Sequence, residues 1–225
     1  MGSAAAPLAS RPASLAAQPG SFQASAKRAL DVALASVGVI ASFPLWVIIG
    51  GAIKLEDGGA VFYGQERVGR HGRIFRVLKF RSMIPDAEAK VGALQASAND
   101  PRVTRIGRWL RATAMDELPQ LLSIARGDMS FVGPRALRPG EIEVVGDGRH
   151  VALEDVPGFE ARCRVRPGLT GIAQIYAARD IPRRQKFRYD KLYIRKPSLW
   201  LDVRLILLSF WITFRGSWEA RGTKF

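Results

Sequence analysis

The chain has 225 residues, 48% of them hydrophobic and 9% aromatic, so it can bury one core and is too apolar to be disordered throughout. Its 34 Lys and Arg against 20 Asp and Glu give a formal net charge of +14, which requires an anionic partner: nucleic acid, anionic lipid or a phosphorylated substrate. Cys163 is the single cysteine, which excludes an intrachain disulfide, and the two histidines, His71 and His150, have no metal-ligand spacing.

Residues 1–25 are rich in Ala, Ser, Pro and Gly and read as a disordered arm. Ala6 stands where a myristoylation signal needs Ser or Thr, and no basic region precedes an early apolar run as in a secretory signal. Residues 32–53 are almost wholly apolar; as a helix they would reach roughly 33 Å, close to the hydrocarbon thickness of a bilayer. The run lacks a polar face, which favours membrane insertion over a buried core helix. Pro44 near its middle removes a helix hydrogen bond and predicts a kink or break, with Ser42 placed to satisfy a freed carbonyl. Lys27 and Arg28 precede the run, while Lys54, Arg67, Arg70 and Arg73 follow it. Basic residues on both flanks suit a helix that enters, bends at Pro44 and returns to the same face; a single span is the other reading.

Residues 60–67 and 73–80 are rich in aromatic and β-branched residues around Gly69 and Gly72, and predict a β-hairpin. Residues 86–97 read as helical. So do 103–114, with Arg105, Arg108 and Arg111 on one face and Ile106, Trp109 and Leu110 on the other. A further helix begins near Asp116 and ends at Gly127-Asp128. Residues 139–160 read as a long loop. The stretch 199–214 is apolar but too short beyond Arg204 to span; Trp200, Trp211 and Trp218 suit the headgroup level, and a core helix is an equal alternative. The expected fold is α+β and membrane-associated. It has a re-entrant membrane helix over 26–56, a compact, mostly helical cytosolic domain over 57–215 with a small β-hairpin and interfacial amphipathic helices, and a tail over 216–225.

Two features can carry chemistry. Adjacent carboxylates, Asp116 and Glu117, lie in a basic neighbourhood. Such a pair can hold a divalent cation, or supply one nucleophile and one proton handler. Capping of a helix N-terminus by Asp116 is the structural alternative, and it is compatible with phosphate binding there. Second, Arg81, Arg111, Arg135 and Arg166 stand beside small or turn-forming residues rather than in charge runs, as bidentate diphosphate ligands would; a solvated surface arginine is the alternative for each. The turns in GDMSFVGPR and RPGLTG offer backbone N–H groups for an anion nest.

Taken together, KRALDVALA, QERVGRHGRIFRVLKFRSM, DPRVTRIGRWLR, AMDELPQLL, GDMSFVGPR, RPGLTGIAQI and YDKLYIRKPSLWLDVRLIL resemble the bacterial sugar transferase family, the monotopic phosphoglycosyl transferases of surface-polysaccharide assembly. The resemblance runs from about residue 27 to about residue 208. It implies transfer of a sugar-1-phosphate from a UDP-sugar to polyprenyl phosphate, with Asp116 as nucleophile, a covalent phosphosugar and release of UMP. It implies Mg²⁺ at Asp116 and Glu117, with Glu117 as base or metal ligand. It also implies that Lys79, Arg81, Arg111, Arg135, Arg166 and Thr170 bind substrate. The family's re-entrant helix bends at a Ser-Pro pair; here Pro44 follows Phe43, and Ser42 is one place earlier. The implied location is the cytoplasmic face of the bacterial inner membrane, in contact with its lipids. No nucleic acid is expected, and a homo-oligomer is compatible with the sequence. The alternatives from other classes are a basic nucleic-acid binder, against which the apolar run argues, and a non-catalytic membrane protein.

Overall fold

The computed structural model describes residues 21–87, 100–144, 149–178, 181–216 and Trp218. It opens with one long helix, α1 (Ser21–Asp57), so residues 21–25 are helical; the rest of the expected arm lies outside the described residues. The helix is long and apolar enough to cross a membrane, with mean hydropathy 2.3 over its richest window. It continues through Pro44 rather than breaking there. Pro44 deprives the Ile40 carbonyl of its partner. Ser42 does not supply a substitute: its hydroxyl donates to the Gly38 carbonyl at 2.6 Å and accepts from Trp46 Nε1 at 2.9 Å. The carbonyl it reaches lies two residues before the orphan.

One face of α1 is packed on the rest of the chain. Ala35, Ile49 and Ile53 are buried, in step with helical periodicity. The opposite face leaves Val37, Ile40, Phe43, Val47 and Ile48 open, Ile40 by 75%. Both ends are fastened to the same body. Near the start, Lys27 pairs with Asp202 at 2.7 Å, and Arg28 donates to the carbonyls of Ile124 and Ala125 at 2.6 and 2.8 Å.

Two strands follow, β1 (Phe62–Val68) and β2 (Ile74–Phe80), paired antiparallel from Phe62–Phe80 to Val68–Ile74 as the expected hairpin. Phe62 and Phe80 stack with centroids 5.3 Å apart, and Trp46 of α1 meets both edge-on. The helix expected at 86–97 falls mostly outside the described residues, and 85–87 form a turn. The arginine-rich helix is α2 (Arg105–Ala112). Its first three N–H groups are satisfied by two side chains. Thr104 Oγ1 accepts from Gly107 N, and the Glu56 carboxylate at the end of α1 accepts from Arg105 N and Ile106 N at 2.6 and 3.1 Å. Leu110 is buried as expected, whereas Trp109 is 49% exposed.

The helix expected near Asp116 divides in two. A 3₁₀ stretch, Met115–Gln120, contains Pro119 and leads into α3 (Leu121–Arg126). Asp116 is not a cap; the residue before the stretch, Ala114, is left-handed at φ 54°. Gly127, at φ 100°, closes α3 as the sequence predicts. Then come β3 (Ser130–Val132), β4 (Ile142–Val144) and β5 (His150–Ala152). β4 and β5 pair antiparallel, so the expected loop at 139–160 contains a hairpin. Its three-residue strands are too short to stand out by periodicity. After α4 (Phe159–Cys163), strand β6 (Gly168–Thr170) pairs parallel with β3.

This parallel pair brings the Gly-Pro and Pro-Gly turns together. Gly133 N donates to Thr170 O at 3.0 Å and Gly168 N to Pro134 O at 2.9 Å. A Cβ on Gly168 would lie 2.1 Å from Gly133 N, so glycine alone permits the approach. Those two N–H groups are therefore spent on strand pairing rather than held in an anion nest. α5 (Ile172–Tyr176), α6 (Arg183–Arg195) and α7 (Leu199–Arg215) complete the fold. α7 buries Leu205, Ile206 and Ile212 and exposes Trp200, Phe210, Trp211 and Phe214. The main core joins Ala35 of α1 with Val77, Leu121, Phe131, Ile175 and Leu205; a second joins Ile49 and Ile53 with Phe80 and Leu110. The chain is α+β and mostly helical, as expected, with more strand pairing than one hairpin.

Candidate active site

A cavity of about 1310 Å³ opens beside the 3₁₀ stretch. Part of its wall is apolar, drawn from Leu34, Val37 and Ala41 of α1 and from Phe210 of α7. The rest is strongly charged and contains Asp116 and Glu117. Pro119 and the left-handed Ala114 shape the short stretch that presents both carboxylates on this wall. A non-glycine residue at positive φ costs about 1 kcal/mol or more, and such strain concentrates at functional sites.

The two carboxylates differ sharply. Glu117 Oε1 accepts from Lys79 Nζ at 2.5 Å and from Arg135 Nη2 at 3.2 Å. Both hydrogen bonds go to Oε1. Burial alone would raise the Glu117 pKa, but Lys79 and Arg135 outweigh it and hold the group near 2. Asp116 makes no hydrogen bond or ion pair among the described residues. Burial lifts it to about 6, against the pull of Lys79 and Arg111 and with the push of Glu117. The site thus holds one clamped anion and, next to it, one unengaged carboxylate. Burial lowers the Lys79 pKa despite Glu117, while Glu117 raises that of Arg135.

The expected substrate-binding residues separate into two groups. Lys79, Arg111, Arg135 and Thr170 line the cavity. Thr170 is buried and bonded through Oγ1 to the Ser209 hydroxyl at 2.5 Å. Arg81 also lines it, but its guanidinium is taken by both Asp57 oxygens and by the carbonyls of Ala60 and Met83. It ties the end of α1 to β2. Arg166 lies outside the cavity: its Nε donates to the Gly127 carbonyl at 2.8 Å, closing the end of α3.

Several residues of the wall escaped the sequence reading. Arg67, Arg138, Glu141, Arg162 and Arg183 all face the cavity. Arg162 is buried. It donates to Asp190 Oδ2 and to the Arg135 carbonyl, each at 2.7 Å, and sits over the Phe187 ring. It braces the backbone that carries Arg135. Arg67 stood in the QERVGR segment, and Arg138 only three residues after Arg135, so both were in view. Nothing in a single sequence shows that they converge.

Among the described residues no three His, Cys, Asp or Glu side chains gather in a metal cage. That excludes a closed protein cage there but fits Mg²⁺, which typically takes one or two carboxylates and completes its shell with phosphate oxygens and water. Asp116 and Glu117 Oε2 are the donors available.

The model of the family described as bacterial sugar transferase matches residues 22–216. The undecaprenyl-phosphate glucose phosphotransferase of Komagataeibacter xylinus is 44% identical over 190 residues, 81% of this chain and 35% of that protein. The exopolysaccharide production protein ExoY of Rhizobium meliloti is 38% identical over 195 residues, 80% of this chain and 82% of its own length. The undecaprenyl-phosphate galactose phosphotransferase of Salmonella typhimurium is 32% identical over 203 residues, 84% of this chain and 40% of that protein. This chain thus corresponds to about a third of the first relative, two fifths of the third and most of ExoY. With a match from the start of α1 to the end of α7, and a relative covered over four fifths of its length, the chain belongs to the bacterial sugar transferase family.

Proposed function

We propose that the protein transfers a sugar-1-phosphate from a UDP-sugar to polyprenyl (undecaprenyl) phosphate, as the first membrane step of exopolysaccharide or other surface-glycan assembly. The observation that carries this reading is the unengaged Asp116 carboxylate beside a clamped Glu117, in a cavity walled partly by apolar helices and partly by cations. The relatives' names supply the undecaprenyl phosphate and the sugar-phosphate chemistry.

Asp116 is the nucleophile. Its carboxylate oxygen forms a bond to the sugar-bearing phosphorus, and the anhydride bond to UMP breaks with its electron pair on the departing phosphate oxygen. A phosphate oxygen of the lipid then attacks the same phosphorus and returns the Asp116 carboxylate. Lys79, Arg111 and Arg135 neutralise the phosphoryl oxygens, and Glu117 fixes Lys79 and Arg135 in place. Mg²⁺ bound by Asp116 and Glu117 would supply further charge neutralisation.

The lipid acceptor requires a membrane-bound site. Both ends of α1 are joined to one body, by Lys27 and Arg28 at the start and by Glu56 and Asp57 at the end. Its open apolar stripe lies between them. This arrangement supports a helix that dips into one leaflet and leaves both ends on the cytoplasmic face. The direct test is UMP release from a set of UDP-sugars with undecaprenyl phosphate and Mg²⁺ in a bilayer. Release that depends on the acceptor is expected, and no release with any of them overturns the reading.

A further inference from the structure

Arg135 lies in an irregular stretch. Residues 133–138 join β3 to the turn before β4, and only an isolated bridge pairs Arg135 with Gly168. Three successive carbonyls there each accept a hydrogen bond. That of Pro134 accepts from Gly168 N at 2.9 Å, that of Arg135 from Arg162 Nη2 at 2.7 Å, and that of Ala136 from Arg67 Nη1 at 2.9 Å. Two of these donors are side chains, reaching in from α4 and β1. Arg135 Nη2 in turn donates to Glu117 Oε1 at 3.2 Å.

Arg162 is itself held from α6. Its Nε donates to Asp190 Oδ2 at 2.7 Å, and its guanidinium carbon lies 4.2 Å from the centre of the Phe187 ring, one turn earlier on that helix. All three side chains are buried. Burial raises the Asp190 pKa even against Arg162, so the pair is kept at a cost in desolvation. A buried ion pair can often be exchanged for apolar side chains of similar volume without loss of stability. Stability alone therefore does not account for a charged pair at this place. A fork that joins Asp190 to the Arg135 carbonyl does, and a lysine, as a point charge, does not reproduce it.

Resting on the function proposed above, we infer that Arg162, oriented by Asp190, is a positioning residue for the transfer: it fixes the Arg135 backbone so that the Arg135 guanidinium stands ready for the phosphoryl oxygens. Arg162 acts through Arg135, since its Nε and Nη2 are spent on Asp190 and on the Arg135 carbonyl. Phosphoryl transfer depends on cationic groups already in place, and a misplacement of about 1 Å costs on the order of a hundredfold in rate. The contacts run from Asp190 through Arg162 to Arg135 and end at Glu117, so α6 reaches the dyad without a side chain of its own touching it. The effect falls on turnover and spares binding of the lipid acceptor.

The test compares the native full-length protein in bilayer discs with Arg162→Lys and with the apolar pair Arg162→Met/Asp190→Leu. Melting curves report the fold, and acceptor-dependent UMP release gives kcat and KM for undecaprenyl phosphate. Both variants are expected to melt near the native protein, to lose about tenfold or more in kcat, and to keep that KM within about twofold. In an Arg135→Gln background the same changes should lower the rate by less than about twofold further, because the group they position is gone. Single-turnover UMP release reads this background where kcat is too small. Native kcat in a folded variant, equal losses in both backgrounds, or a fold lost in both variants overturns the positioning role and leaves the transferase standing. A native chain that releases no UMP overturns the function itself.

Discussion

Lys79 Nζ lies 2.5 Å from Glu117 Oε1, whereas Asp116, one residue earlier, has no such partner among the described residues. Strand β2 delivers the lysine and the 3₁₀ stretch delivers the glutamate, so the pair joins two elements as well as two charges. Removing one member leaves a charge stranded in a place where each side chain is 15% exposed. Lys79→Met should therefore destabilise the fold by about 3 kcal/mol, the scale for breaking a buried pair. Adding Glu117→Gln should recover part of that loss. Thermal unfolding of the two variants checks this; equal losses would mean that the pair contributes little.

Asp116→Asn should abolish turnover and the trapped sugar-phosphate adduct, yet raise stability at neutral pH. Folding lifts the Asp116 pKa from 3.8 to about 6, so the ionised form is disfavoured in the folded state. Stability lost to that charge is greatest above pH 6 and disappears as pH falls from about 6 to below 4, where the carboxyl is protonated folded and unfolded alike. Asparagine removes the penalty, so a gain of up to about 3 kcal/mol, about 1.4 per unit of the shift, is expected at pH 7 and well under about 1 kcal/mol at pH 4. Melting curves at the two pH values measure it; a gain independent of pH would remove ionisation as its cause.

Arg166→Ala should lower the melting temperature without changing KM for the UDP-sugar. Its guanidinium closes the end of α3 at Gly127, and a hydrogen bond from a charged donor contributes about 1.5–3 kcal/mol. A raised KM with unchanged melting would instead make it a donor ligand.

Cysteines introduced at Gln23 and Leu55, in a Cys163→Ser background, should react with a membrane-impermeant maleimide from the same side. Gln23 is exposed near one end of α1, and Leu55 is 90% exposed near the other. Pro44→Leu should not alter that outcome, because the ends are held by Lys27–Asp202 and Arg81–Asp57 rather than by the proline. Labelling from opposite sides would establish a span.

The legible parts of the chain were those governed by local pattern. The apolar run, the Gly69–Gly72 hairpin and the Gly127 stop follow from periodicity and backbone freedom, and each lies where the sequence places it. The dyad was legible as an adjacent carboxylate pair, although its unequal environments were not: the inequality comes from Lys79 and Arg135, 38 and 18 residues from Glu117. Arg135 and Arg166 look alike in sequence, each in a Gly/Pro triplet. Parallel pairing of β3 with β6 leaves one on the cavity wall and the other on the end of α3. Arg81 follows Lys79 by two residues but lies beyond β2, where Asp57 captures it. Long-range pairing decided each of these cases, and a single sequence does not encode partners openly.

The burial of Ala35, Ile49 and Ile53 in two cores makes the long apolar helix a wall of the enzyme rather than a detachable stalk. Burying each isoleucine contributes about 1.5–3 kcal/mol. A chain shortened to begin after Asp57 would expose Phe80, Leu110 and Leu121, uncap α2 and leave Asp202 without Lys27. Solubility gained by cutting off the greasy segment would therefore come at the expense of the catalytic body itself, and detergent or lipid must accompany this protein through any purification that keeps it whole.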